Sequence, residues 1–316
     1  MIFDPSSCAY LFPGQGSQTL GMGSQLARKF HAAREIYKEA DEILGYPISL
    51  LSWNGPDSEL NDTVNTQPAL LVHSIASLRV FQERFPDFQP TLVAGHSLGQ
   101  ISALVSVGSI SYPDALRLVR KRGEVMKAAG DLAPGGMAAV LGLDIDILEH
   151  ICRDASKGNE IVQIANDNCP GQVVVSGSKP ALDRFIDMAN AVGAKRVFKL
   201  PISIAAHSPL MESAQEEFNQ AVDNTPIKDT IIPIISNITA KPIRTADKIR
   251  HELRSQLTKQ VRWTDSIKCM IDLGIKSFLE IGSGSVLLGL LKRIDRQSKG
   301  MSIEKPEDLE LLVGTD

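Results

Sequence analysis

Gly95-His96-Ser97-Leu98-Gly99 stands directly after the apolar run Thr91-Leu92-Val93-Ala94 and directly before small, helix-compatible residues. A Gly-x-Ser-x-Gly pentapeptide between strand and helix makes a sharp turn that holds the serine hydroxyl exposed and strained, and its glycines let the backbone fold that tightly. The amides opening the next helix then point at negative charge developing beside the serine. Such a pentapeptide also occurs by chance, and Ser97 could be an ordinary turn serine. Its flanks favour a nucleophile.

A serine hydroxyl needs a base to take its proton, and imidazole is the usual one. The chain offers six histidines. His31 and His150 lie on charged helical faces and His251 follows a basic run, so all three read as solvated. His73 belongs to an apolar helix and reads as a hydrogen-bonded core residue. His96 adjoins Ser97, but adjacent turn residues point different ways, so it reads as a brace for the elbow. His207 leaves the strand-like run Pro201 to Ala206, enters Ser208-Pro209, and follows the serine in chain order, as in α/β-hydrolase-like enzymes. No acid with an evident orienting role lies between Ser97 and His207. A backbone or amide carbonyl could hold the imidazole tautomer instead.

Arg122 shares a helical stripe with Ala115, Leu118, Val119, Val125 and Met126. An unpaired buried charge is costly, so an arginine there must find an anion or an acceptor network. It is either a structural salt bridge or snorkelling side chain, or a planar fork for a substrate carboxylate. Phe12-Pro-Gly-Gln-Gly-Ser-Gln18 forms a glycine-rich loop without the lysine and spacing of a phosphate-binding P-loop. A second oxyanion donor suits it better.

Alternating short apolar strands and helical patterns place these groups in an α/β architecture with a largely parallel sheet. Strands are expected at 9–12 and 91–94, and helical periodicity at 24–44. A helix over 113–129 is capped by Ser111, with Pro113 in its first turn and Asp114 completing a capping box. The rhythm then changes to strand 137–143, helix 146–155, strands 160–165 and 172–176, helix 180–192 and strand 195–200. That βαββαβ order is the split arrangement of a ferredoxin-like unit. It predicts an inserted subdomain over 134–200, between Pro134-Gly135-Gly136 and Pro201, within a larger one formed by 1–133 and 201–316.

Composition narrows the function. The 316 residues are 43% hydrophobic with a formal charge of −4, which disfavours a binder that works by neutralising phosphates. Cys8, Cys152, Cys169 and Cys269 are scattered, without zinc or disulfide spacing, and read as reduced thiols of a cytoplasmic protein. The start Met1-Ile2-Phe3-Asp4-Pro5 shows no signal-peptide pattern, and no apolar run is long enough to span a membrane.

Together these residues resemble the malonyl-CoA:acyl-carrier-protein transacylases of bacterial fatty-acid synthesis. The likeness runs from Leu11 to about Leu311. It is carried by Phe12-Pro-Gly-Gln-Gly-Ser-Gln, Thr66-Gln-Pro-Ala-Leu-Leu, Gly95-His-Ser-Leu-Gly, Arg122-Gly, Asn166 to Gly177, His207-Ser-Pro-Leu-Met, Ile235-Ser-Asn, Val261-Arg-Trp and Glu280-Ile-Gly. The resemblance implies an α/β-hydrolase-like subdomain carrying the ferredoxin-like insertion, with malonyl-CoA and acyl carrier protein as partners. It implies no cofactor and no metal, and a ping-pong reaction through a serine-linked acyl group. It further implies Ser97 as nucleophile, His207 as base, the Gln15 and Leu98 amides as oxyanion donors, and Arg122 as the grip on the malonyl carboxylate. Gln256 would supply the carbonyl that orients His207, and Gln67, His96, Asn166 and Asn168 would line or support the pocket.

Four positions depart from the usual pattern. Gln100 stands where Glu is common and removes a charge near the site. Ala206 stands where Phe or Ser is frequent and widens the pocket. Ser283 replaces a common Pro, and Thr258-Lys-Gln precedes Val261 where Asn-Pro is frequent. Lys195, Arg196 and Lys199, or Lys292 and Arg293, are candidate docking cations for an acidic carrier protein. Rival readings are a serine thioesterase or other hydrolase, a non-catalytic docking module, and a stand-alone polyketide-pathway acyltransferase.

Overall fold

The computed structural model describes residues 4–312, so Met1 to Phe3 of the N-terminal pattern lie outside the described residues. Within them the strands are β1 (Cys8–Phe12), β2 (Leu92–Gly95), β3 (Gly135–Leu141), β4 (Val162–Cys169), β5 (Gln172–Ser178), β6 (Arg196–Lys199), β7 (Ile234–Ile235), β8 (Pro242–Ile243), β9 (Val261–Arg262), β10 (Ser277–Ile281) and β11 (Lys299–Ile303). They form two sheets.

The larger sheet has the order β11-β10-β1-β2-β7-β8, parallel except for the β7–β8 pair. Every residue of β1 is buried, as a strand with helices on both faces requires. Its side chains divide with period two. Cys8, Tyr10 and Phe12 join a core with the helix Thr63–Arg84, while Ala9 and Leu11 pack with Trp263, Ile267 and Leu291 on the other face. β2 lies beside β1 at the sheet centre, so the turn that follows it is held on a rigid platform.

The smaller sheet has the order β6-β3-β5-β4-β9. β6, β3, β5 and β4 pair antiparallel, and the helices Ile145–Ala155 and Lys179–Ala191 cover one face. The sheet does not end with residue 200: β9 pairs in parallel with Asn166 and Asp167 of β4. A two-residue strand carries no readable period, so the sequence gives no sign of it. β4 also runs on to Cys169, through Asn-Asp-Asn residues that read as a connection. Register shifts between Ile164 and Asn166 and between Asp167 and Cys169 accommodate these poor strand formers and re-aim their side chains.

The helix expected at 113–129 spans Tyr112–Leu132, and Ser111 Oγ accepts from the Asp114 amide as its cap. The continuous helix read over 24–44 is two helices, Ser24–Lys29 and His31–Leu44, broken at extended Phe30. The break is held by Arg34, whose guanidinium donates to the carbonyls of Ala27 and Arg28 at the end of the first helix. No helix among the described residues is long and apolar enough to cross a membrane.

Candidate active site

The turn after β2 is tight enough to exclude side chains at both glycines. A Cβ on Gly95 would lie 2.0 Å from the Gly99 backbone, and one on Gly99 would lie 2.1 Å from the Phe12 carbonyl oxygen. Between them Ser97 takes φ 51, left-handed backbone that a non-glycine residue keeps only when its surroundings impose it. Asn237, just past β7, imposes it. Its Oδ1 accepts from the Ser97 amide and its Nδ2 donates to the Gly95 carbonyl, each at 2.8 Å.

His207 reaches the serine from 110 positions later, with 2.8 Å between Ser97 Oγ and His207 Nε2. It too has a positive φ, of 59. Its Nδ1–H donates to the backbone carbonyls of Gln256 at 2.9 Å and Lys259 at 3.0 Å. Two acceptors on Nδ1 leave Nε2 unprotonated and facing the hydroxyl, the tautomer a general base needs. Burial, then the charges of Arg122 and His96, pull the imidazole down to about 3 against the two carbonyls that favour its protonation. His207 is therefore neutral at physiological pH. Gln163 Nε2 donates to the His207 carbonyl at 2.7 Å, a tie from β4 that the sequence reading missed.

Arg122 is 1% exposed and forms no ion pair among the described residues. Its Nη1 donates to Gln67 Oε1 at 3.0 Å, and its Nη2 donates to Gln256 Oε1 at 2.9 Å and to Ser97 Oγ at 3.0 Å. Its buried Nε–H has no partner among the described residues. Neither a salt bridge nor a snorkelling side chain describes this residue. A buried guanidinium bound only by neutral groups has donors to spare and charge to neutralise, and burial lowers its pKa to about 10.

The remaining expected residues gather around the same cleft, a cavity of about 340 Å³ lined by Gln15, His96, Ser97, Arg122, Asn166, Asn168 and His207 among others. His96 Nε2 donates to Asn168 Oδ1 at 2.9 Å, and its ring packs on Trp263 with centroids 5.4 Å apart. Around the turn, the amides of Gly16, Ser17, His96, Ser97 and Gly99 each donate to a protein acceptor, whereas those of Gln15 and Leu98 find none among the described residues. Ala206 lines the cleft, and Phe198 and Val286 line it while remaining exposed. Ser283 donates to the Ser17 carbonyl at 2.7 Å and ties down the glycine-rich loop. His73 departs from expectation: it is fully buried, but neither ring nitrogen has a hydrogen-bond partner among the described residues.

The acyl transferase domain model matches residues 9–306. The malonyl CoA-acyl carrier protein transacylase of Bacillus subtilis (strain 168) is 42% identical over 310 residues, 98% of this chain and 97% of that protein. This chain belongs to the malonyl CoA-acyl carrier protein transacylases. Among solved structures, the transacylase of Coxiella burnetii superposes with a TM-score of 0.95 at 38% identity, covering 98% of this chain and 97% of that one. A malonyl-transacylase solved in complex with its type II PKS acyl-carrier protein superposes with a TM-score of 0.93 at 40% identity, covering 96% and 98%. For a transacylase the missing third carboxylate is no defect. The backbone carbonyls of Gln256 and Lys259 occupy the place beside His207 Nδ1 where a triad acid would stand.

Proposed function

We propose that this transacylase moves malonyl from coenzyme A to the phosphopantetheine thiol of an acyl carrier protein through an ester on Ser97, in fatty-acid biosynthesis. The observation that carries the reading is the buried, ion-pair-free guanidinium of Arg122 hydrogen-bonded to the Ser97 hydroxyl. A simple esterase has no use for a cation there, whereas a malonyl group brings a carboxylate that would satisfy it.

In the first half-reaction Ser97 Oγ attacks the thioester carbonyl as its proton passes to His207 Nε2. The oxyanion is held by the Gln15 and Leu98 amides, the latter at the start of the helix Gly99–Ser106. Collapse breaks the carbon–sulfur bond, and His207 returns the proton to the departing thiol. In the second half, His207 takes a proton from the carrier's thiol as its sulfur attacks the malonyl ester; collapse breaks the ester carbon–oxygen bond, and His207 returns the proton to Ser97 Oγ. The malonyl carboxylate stays on Arg122 throughout, supported by Gln67, while His96, Asn166 and Asn168 line the cleft. Nothing in these steps requires a cofactor.

The ferredoxin-like reading of 134–200 is supported by the order β6-β3-β5-β4, and the hydrolase-like reading of the rest by the parallel sheet feeding the elbow. For docking, Arg196 stacks over Phe198 at the cleft edge, 5.0 Å from the ring centroid, and Arg293 donates to Gln172, which also lines the cleft. These cations, with Lys195 and Lys292, would face an acidic carrier protein beside the cleft, whereas Lys199 pairs with Asp183 on the helix Lys179–Ala191. Four unpaired thiols accord with a reducing cytoplasm.

The test is acyl transfer to a carrier protein from a panel of coenzyme A thioesters, with Ser97→Ala as control. Arg122→Ala should shift preference from malonyl towards acetyl; an unchanged preference would remove Arg122 from the substrate site.

A further inference from the structure

Glu252 is 4% exposed on the helix Ala246–Ser255, one turn before Gln256, and forms no ion pair among the described residues. Four donors surround its carboxylate. Oε1 accepts from Gln100 Nε2 at 3.0 Å, the Asn237 amide at 2.7 Å and the Ile238 amide at 3.3 Å, and Oε2 accepts from the Ser236 hydroxyl. Two of these contacts lead into the active site. Asn237 is the residue that clamps the backbone on both sides of the elbow. Gln100 accepts from Gln256 Nε2 at 2.7 Å, and Gln256 Oε1 in turn accepts from Arg122.

The second path has a fixed direction. A carboxylate only accepts and a guanidinium only donates. With Glu252 at one end, Gln100 must turn its NH2 towards it and its oxygen towards Gln256. Gln256 must then turn its NH2 towards Gln100 and its oxygen towards Arg122. Neither amide can flip without setting like against like, and each bond polarises the next. The charge that Gln100 seemed to remove from the site is present, one side chain further back.

We infer that Glu252 is a positioning residue for malonyl transfer, orienting Arg122 through Gln100 and Gln256 and holding the Ser97 elbow through Asn237. It touches no substrate. The inference rests on Arg122 being the malonyl grip.

The test is Glu252→Gln, which keeps shape and an acceptor oxygen but removes the charge at the end of the relay. Gln100→Leu, which cuts the relay without touching Asn237, serves if the first variant does not fold. Both are compared with wild type and Arg122→Ala, using malonyl-CoA and acetyl-CoA as competing donors. Either variant should lower malonyl-over-acetyl preference by about tenfold, the scale of one weakened bond to a charged group, mainly through a raised KM for malonyl-CoA. Glu252→Gln should lower kcat for both donors as well, because only it disturbs Asn237. Thermal midpoints close to wild type would separate this effect from simple destabilisation. Wild-type preference in both variants, with preference lost in Arg122→Ala, would overturn the relay alone. Wild-type preference in all three would overturn the Arg122 reading beneath it.

Discussion

Arg122 Nη2 lies 3.0 Å from Ser97 Oγ, so one guanidinium faces both the nucleophile and the place a substrate carboxylate would occupy. Its charge also reaches the base. After burial, the Arg122 charge does most to hold the pKa of His207 low.

The pH dependence of acylation follows. With His207 pulled down to about 3 from 6.5, the base stays competent in mild acid. The p-nitrophenol burst from p-nitrophenyl acetate, a neutral acyl donor, should stay flat from neutrality down to about pH 5. Removing a neighbouring cation favours the imidazolium, so Arg122→Ala should move the acid limb to higher pH. An inflection near 6.5 in the wild type would contradict this.

Two glycines should respond in opposite senses. Gly95→Ala drives a Cβ to 2.0 Å from the Gly99 backbone, an overlap with nothing flexible to absorb it. It should cost ~3 kcal/mol or more, or prevent folding. Gly289 lies exposed in the helix Val286–Ile294, with open space around its missing Cβ. Gly289→Ala should raise stability by up to about 1 kcal/mol in urea titration.

Buried His73 should make the protein sensitive to acid. Its folded pKa of about 4 lies below its usual 6.5, so the unfolded chain takes up the proton first. The stabilisation is complete above about pH 6.5 and is lost as pH falls through 4, the loss reaching about 2 kcal/mol by pH 5. Glu280, raised to about 7 by burial, works the other way, since its contribution is largest below 4.5 and fades as pH rises. Because Glu280 offsets His73 in the wild type, the urea midpoint of His73→Leu should rise relative to wild type on going from pH 7 to pH 5. An identical pH dependence in the two proteins would show that His73 is not a source of acid sensitivity.

Much of this site was legible because its chemistry is local in sequence. The elbow advertises itself through its glycines, the Ser111 cap fixed the Arg122 helix, and a charged residue on an apolar stripe marked itself as exceptional. The groups behind the site were not legible, because each is placed by partners distant in sequence: Asn237 reaches back 142 positions to Gly95 and Glu252 reaches back 152 to Gln100. Asn237 appeared only within a motif, with no role attached. Glu252 carries no sequence signal of its own, being one of several charged residues within 246–255. Only its burial against Gln100 and the turn after β7 sets it apart. The strand β9 was invisible for the same reason, being two residues whose pairing is decided wholly by β4.

The central claim is that Ser97 carries the acyl group. Incubation with malonyl-CoA, without carrier protein, followed by proteolysis and mass spectrometry should find one malonyl group on the peptide containing Ser97. The adduct should be absent in Ser97→Ala, strongly reduced in His207→Ala, and discharged on adding thiol-bearing carrier protein. A malonyl group on any other residue, or undiminished transfer by Ser97→Ala, would contradict the account.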